Sequence, residues 1–254
     1  MVEQNKKVKT ILITQPSPEG KSPYASLEKR YNVKIDFRPF MHLEEITAME
    51  FKEQRISILN HDAVIFTSKK AMDHYFGMME KLRLRVPDFT KYFCVSEAIA
   101  HYLQNFITYR KRKVFTGEQT LASLIPVMQK HKEAKFLFPC SDLLKNKVNI
   151  SLEESGLDYT KAQMYKVACS DLFDLSDVKY DVLVFFSPTG VKSLLENFPK
   201  FKQQETRLAV FGPTTIKSVE DNGLRVDISA PNKKTPSMLM ALDQYIKEAN
   251  KRKR

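Results

Sequence analysis

Short apolar runs alternate with longer segments of helical spacing along this chain. The first run, Lys9 to Gln15, is closed by Pro16. A loop carrying Pro16, Pro18 and Gly20 follows, and Ser22-Pro23 then has the pattern of an N-cap with proline at the first helical position, which predicts a helix to about Arg30. Val33 to Phe37 is a second strand, broken by Pro39. Strand, helix and strand in so short a stretch form a βαβ unit, which requires parallel pairing. The alternation continues with Ala63 to Thr67 and a helix through Lys81, then Tyr92 to Val95 and a helix to about Asn105. Lys135 to Phe138 precedes Pro139 and a helix leading to Gly156, and the last third repeats the pattern. The class is α/β, with parallel sheets flanked by helices.

An internal repeat sharpens this expectation. Asp62-Ala63-Val64-Ile65-Phe66-Thr67-Ser68 resembles Asp181-Val182-Leu183-Val184-Phe185-Phe186-Ser187, and a helical segment follows each. Phe93 to Leu103 parallels Val210 to Val219, and Thr120 with Leu124 parallels Thr235 with Leu239, the offset drifting from about 119 to about 115 residues. Two similar lobes are expected. The opening βαβ unit has no partner at the start of the second copy, so it is assigned to the lobe built by the last third. The resulting division is discontinuous: residues 1–38 with 169–254 form one lobe, 43–162 an inserted lobe, and 39–42 and 163–168 a two-stranded β linker. A ligand cleft between the lobes is the expectation, because pockets favour such junctions.

Composition narrows the chemistry. The formal net charge of +11 attracts polyanions, whether nucleic acid or a small molecule with many carboxylates. Hydrophobic residues make up 43%, enough for real cores. Three scattered cysteines, Cys94, Cys140 and Cys169, make no disulfide framework. No apolar run is long enough to cross a membrane, and the N-terminus lacks the pattern of a signal peptide. A cytoplasmic monomer without a membrane partner is expected.

The histidines show no zinc-motif spacing, and no CxxC is present. His74 and His101 fall in helical stretches as surface or boundary residues. The dinucleotide, P-loop and G-x-S-x-G motifs are absent. What remains is a set of hydroxyls at strand ends: Thr67 and Ser68, Ser187 before Pro188-Thr189-Gly190, and Thr214 and Thr215 after Gly212-Pro213. Ligands of parallel sheets gather there, and helix N-termini present free N–H groups that suit carboxylates. Simple helix capping by the same residues is the competing account. Tyr165, on the returning linker strand, is either packing or a phenol proton donor. The basic runs Arg110 to Lys113 and Lys251 to Arg254 are assigned to solvated surface, and the aromatic residues sit in apolar runs, so a nucleic-acid partner is not the expectation.

These pieces together resemble the uroporphyrinogen-III synthase family over nearly the whole chain. The carriers are Ile11-Leu12-Ile13-Thr14-Gln15-Pro16, Val64-Ile65-Phe66-Thr67-Ser68, Phe185-Phe186-Ser187-Pro188-Thr189-Gly190-Val191, Val210-Phe211-Gly212-Pro213-Thr214-Thr215, and Tyr165. The resemblance implies two α/β lobes joined by a two-stranded ladder, and a lyase that uses no metal or organic cofactor. Its substrate would be hydroxymethylbilane, a linear tetrapyrrole polycarboxylate, closed to uroporphyrinogen III with loss of water and inversion of the terminal ring in haem biosynthesis. Tyr165 corresponds to the family's tyrosine that helps the hydroxyl leave. The expected substrate-binding set is Thr67, Ser68, Ser96, Ser187, Gly190, Thr214 and Thr215. The chain departs from the family at Gln15, at Ser96-Glu97-Ala98-Ile99 and at Pro139-Cys140-Ser141-Asp142. Those departures keep open a catalytically reduced homologue that binds a polyanion, and the basic charge keeps open a nucleic-acid-binding protein on the same two lobes.

Overall fold

The computed structural model describes residues 6–145, 150–176 and 178–251. The strands are β1 (Thr10–Ile13), β2 (Lys34–Phe37), β3 (Met41–Glu45), β4 (Ala63–Phe66), β5 (Lys91–Cys94), β6 (Val114–Thr116), β7 (Phe136–Ser141), β8 (Tyr159–Cys169), β9 (Val182–Phe185), β10 (Arg207–Phe211) and β11 (Ile228–Ala230). The helices are α1 (Ala25–Tyr31), α2 (Ala48–Glu53), α3 (Lys69–Lys81), α4 (Glu97–Tyr102), α5 (Leu121–Gln129), α6 (Asp142–Lys145), α7 (Ile150–Glu153), α8 (Pro188–Asn197), α9 (Pro213–Asp221) and α10 (Met238–Ala249). Part of the helix predicted between Pro139 and Gly156, and the basic end beyond Lys251, lie outside the described residues.

The chain divides into two compact units. Met1–His42 with Ala168–Arg254 form unit 1, and Leu43–Val167 form unit 2. Unit 1 holds a five-stranded sheet in the order β11-β10-β9-β1-β2, parallel throughout. β4 and β9 read as continuous apolar runs with every residue buried, as strands covered on both faces must be. The sheet of unit 1 separates two cores. One gathers Ile11, Ile13, Val184 and Ala209 against α1 and α10; the other gathers Leu12, Leu183, Phe185 and Val210 with Leu194 and Val219 of α8 and α9. Alternate residues of one strand thus serve opposite layers.

Unit 2 carries the order β3-β8-β7-β4-β5-β6, with β8 through β6 pairing in parallel. Its core is rich in rings. Phe66 is fully buried and lies 5.5 Å from Tyr75 and 6.2 Å from Tyr92, and Phe93 lies 5.1 Å from Phe136. Burying one such side chain contributes about 1.5–3 kcal/mol.

The two sheets share one plan with permuted connections. β4, β5 and β6 stand where β9, β10 and β11 stand, while β7 and β8 occupy the places of β1 and β2. The same side chain anchors both. Asp181 Oδ2, just before β9, accepts the N–H groups of Lys9 and Thr10 at the start of β1. Asp62 Oδ2, just before β4, accepts the N–H of Lys135 at the start of β7.

Two local expectations are corrected. Ser22 does not cap α1: the N-cap is Tyr24, without a side-chain bond, because Ser22 closes a turn by accepting from the Tyr24 N–H at 3.1 Å. The third repeat pair is out of register by two residues, since the cap equivalent to Thr120 is Ser237, not the buried Thr235.

Candidate active site

In each unit the strand order reverses at one point, where chain connections leave in opposite directions along the sheet. Such switch points open a crevice at the carboxyl ends of the strands. In unit 1 it lies between β1 and β9, and in unit 2 between β7 and β4.

The unit 2 switch point brings several functional groups together. Ser68 follows β4 in extended conformation and caps α3, its Oγ accepting the Ala71 N–H at 3.1 Å. Ser141 ends β7 opposite Tyr165 of β8, across an irregularity in the ladder between Cys140 and Ser141. Tyr165 is only 7% exposed, and its hydroxyl lies near the Ser68 side chain. Burial pushes the Tyr165 phenol above its usual pKa; Cys140 and Asp142 push the same way, and the Ser68 side chain opposes them. The phenol therefore stays protonated at neutral pH and keeps its capacity to donate. His74 of α3 stacks on the Tyr165 ring with centroids 4.6 Å apart. Burial lowers the His74 pKa despite Glu45 and Asp73 nearby, so the imidazole is neutral. Asp142 Oδ1 accepts the Val167 N–H and pins β8 to the start of α6. Lys69 and Lys70 are exposed in the first turn of α3, beside the Ser68 cap.

The unit 1 switch point is simpler. Ser187 caps α8, its Oγ accepting the Gly190 N–H at 3.2 Å. Thr14, just past β1, is buried and donates to the Val184 carbonyl oxygen at 2.7 Å. Gly190 is buried beneath them, and a Cβ there would come within 3.8 Å of the Thr14 hydroxyl and 3.4 Å of the Phe185 ring. The floor of this crevice is thus set by the smallest residue.

The other expected site residues are spread around the two rims. Thr67 is half-buried on the bend between β4 and α3. Ser96 caps α4 with Oγ 3.4 Å from the Ile99 N–H. Thr214 is exposed in the first turn of α9, but that helix is capped by Gly212, whose φ of +87° favours glycine. Thr215 is 1% exposed, on the inward face of α9 with Val219. Its side chain sits inside the unit, which corrects its placement on the rim. Sequence reasoning passed over Thr14, Ser141 and His74. For Thr14 the signal was present in the Thr14-Gln15-Pro16 strand end; for His74 it was not, because helical spacing does not tell which ring meets a distant strand.

Among the described residues no group of three or more His, Cys, Asp or Glu side chains is placed to hold a metal ion. Among them no helix is long and apolar enough to cross a membrane.

Comparison with known proteins gives the family and the fold. A family model described as uroporphyrinogen-III synthase HemD matches residues 22–240. A uroporphyrinogen-III synthase from Saccharomyces cerevisiae is 27% identical over 126 residues, 44% of this chain and 46% of that protein. The match thus spans about half the length of that curated relative. The crystal structure of uroporphyrinogen-III synthetase from Helicobacter pylori superposes with a TM-score of 0.54 and 17% identity, covering 94% of this chain and 99% of that one. That likeness carries the fold. The family match spans most of the sequence, and the chain belongs to the uroporphyrinogen-III synthase family.

Proposed function

We propose that this family member converts hydroxymethylbilane to uroporphyrinogen III as a cyclising lyase, with Tyr165 as its proton donor. The observation that carries the reading is the place of Tyr165, stacked on His74 at the unit 2 switch point of a chain matched to the family over residues 22–240. The reading includes the two-lobe division, with residues 39–42 and 163–168 as linker strands, and a substrate taken up by a monomer.

The chemistry asks little of any single group. The C–O bond of the hydroxymethyl carbon breaks as the Tyr165 phenol passes its proton to the departing hydroxide, releasing water. The azafulvene-like cation left behind is attacked by the substituted carbon of the terminal ring, giving the spiro intermediate. That ring detaches, returns inverted and closes through a new C–C bond. The pyrrole proton lost at closure restores the phenol. The uncatalysed bilane closes without inversion, so the protein's task is positioning, which intramolecular geometry makes large. Thr67, Ser68 and Ser96 in unit 2, and Ser187, Gly190 and Thr214 in unit 1, give carboxylate-binding rims at helix N-termini. Lys69 and Lys70 add positive charge to the unit 2 rim. None of these steps requires a cofactor or a nucleic-acid partner.

The test is turnover of hydroxymethylbilane with product isomers resolved. Enrichment of the type III isomer over the spontaneous type I product is expected. Type I alone, at the uncatalysed rate, reduces the chain to a binding homologue.

A further inference from the structure

Unit 1 holds a cavity of about 990 Å³ on the face of its sheet that carries Leu12, Leu183 and Leu194. It is bordered by Tyr180 and Asp181 before β9, by Glu205 and Thr206 before β10, and by the segment that follows α8. These lie at the amino ends of the strands, and the lining also takes in Leu12 of β1 and Phe40, beyond the end of β2. The floor is apolar. Leu183 and Leu194 are core residues 6% and 3% exposed, and the rings of Phe198 and Phe201 flank them. The mouth is cationic: Lys179, Lys200 and Lys202 line it, all exposed, and none makes an ion pair or side-chain hydrogen bond among the described residues. The carboxylates beside them are engaged elsewhere. Glu205 is 2.8 Å from Lys6 Nζ, and Asp181 accepts the backbone N–H groups of Lys9 and Thr10. A hollow lined with leucine and phenylalanine leaves apolar surface in water, while three unpaired ammonium groups at its mouth leave a charge without a partner. One ligand class answers both features.

We propose that this cavity is a second binding site, for an amphipathic monoanion: an apolar chain or ring seated on Leu183, Leu194, Phe198 and Phe201, with a carboxylate or sulfonate head at Lys179, Lys200 and Lys202. Its volume is that of ordinary small-molecule sites. An octacarboxylate does not suit it, since that ligand's charges would be laid on an apolar floor at a high desolvation cost. Occupancy here and at the carboxyl-end rims is therefore independent, and the proposal stands whether or not the chain turns over hydroxymethylbilane.

The probe is decanoate, titrated calorimetrically into the full chain, with decan-1-ol as the neutral comparator. Saturable binding at one molecule per chain is expected, weakening as salt rises. The variant Lys179→Glu/Lys200→Glu/Lys202→Glu alters only exposed side chains and keeps the fold, which its melting temperature verifies. It should bind decanoate about tenfold or more weakly, as three small exposed-charge contributions change sign together. Methyl NMR locates the ligand: Leu183 and Leu194 resonances should shift, and uroporphyrin I octacarboxylate should not displace decanoate. Absence of saturable binding, equal affinity for decan-1-ol, undiminished binding in the triple variant, or shifts that avoid Leu183 and Leu194 would each overturn the proposal.

Discussion

The two units solve one folding problem with the chain cut at different places. In unit 1 the strands flanking the switch point, β1 and β9, come from opposite ends of the sequence; in unit 2, β7 and β4 come from one continuous stretch. The helix caps that follow β4 and β9 are nearly superposable in conformation, Ser68 at φ −157° and ψ 158° and Ser187 at φ −152° and ψ 152°. What stands behind those caps differs. Unit 2 has the Tyr165 phenol and the His74 ring there, whereas unit 1 has Thr14 and Gly190. A shared scaffold fixes where helix N-termini point; the strand entering beside them decides whether the crevice holds an acid or only donors. Under the proposed function this difference becomes a division of roles, with proton transfer in unit 2 and anion binding alone in unit 1.

The largest expected effect tests that division directly. Tyr165→Phe removes the proton donor and keeps the ring stacked on His74. Type III isomer formation should fall about tenfold to hundredfold in kcat, the low end for general acid catalysis because the hydroxyl leaves easily. The melting temperature should hold. Ser187→Ala, at the cap that matches Ser68 across the repeat, should instead raise KM with kcat nearly unchanged, the mark of a group that binds ground state and transition state alike. A kcat loss in Ser187→Ala equal to that in Tyr165→Phe breaks the comparison.

A smaller effect separates the anchors of the two permuted strands. Asp181 accepts two backbone N–H groups at 2.8 and 3.0 Å and also lies 3.3 Å from the Thr10 hydroxyl, whereas Asp62 accepts one N–H from an exposed position. Hydrogen bonds to a charged acceptor are worth more than neutral ones, so Asp181→Ala should cost about 2 kcal/mol in chemical denaturation. Asp62→Ala should cost no more than half of that. The gap reflects topology: β1 joins its sheet from a distant part of the sequence and depends on side-chain anchoring, while β7 is tethered through the chain leading to it from β4.

How much of this the sequence displays depends on the range of the interaction. Strands such as β4 and β9 are legible because every residue is apolar and the runs stop at hydroxyl residues. The caps at Ser68, Ser96 and Ser187 are legible for the same local reason, a short polar side chain before a helical period. The α/β class and the family follow from those signals taken in order. Local rules fail where a neighbour competes. Ser22-Pro23 has the pattern of a cap, yet the Ser22 hydroxyl is taken by a turn two residues earlier than the helix. Thr235 matches Thr120 by letter, while Ser237 matches it by geometry. Thr215 lies beside exposed Thr214, but at the third helical position it turns inward onto the face of Val219. His74 against Tyr165 is a contact between α3 and a strand distant in sequence, and no local period announces it.

The smallest effect expected is in pH dependence, and it too distinguishes the units. His74 has its pKa lowered, first by burial and then by Lys70 and Lys81, against the opposing pull of Glu45 and Asp73. Among the described residues, Glu45 lies 3.9 Å from the ring and is itself bound to Lys81 Nζ at 2.5 Å, which limits its hold on the imidazole. A histidine whose folded pKa is below its unfolded value binds fewer protons folded than unfolded in the titration range. Stability contributed by the neutral ring is therefore complete above the unfolded pKa, about 6.5, and is lost progressively as pH falls below it. In unit 1 the repeat places Ser193 at the equivalent position of α8, and a serine does not titrate there. Hydrogen exchange followed by mass spectrometry should show amides of residues 63–81 losing protection between pH 7 and pH 5.5, while those of 182–197 change less. His74→Phe keeps a ring against Tyr165 and removes the titration, so the slope in residues 63–81 should flatten toward that of unit 1. His131 also has its pKa lowered by burial and by Lys91 and Lys130, and it belongs to the same unit. The residual slope in His74→Phe measures its share. An unchanged slope in that variant assigns the sensitivity to His131 and leaves the ring on Tyr165 as packing alone.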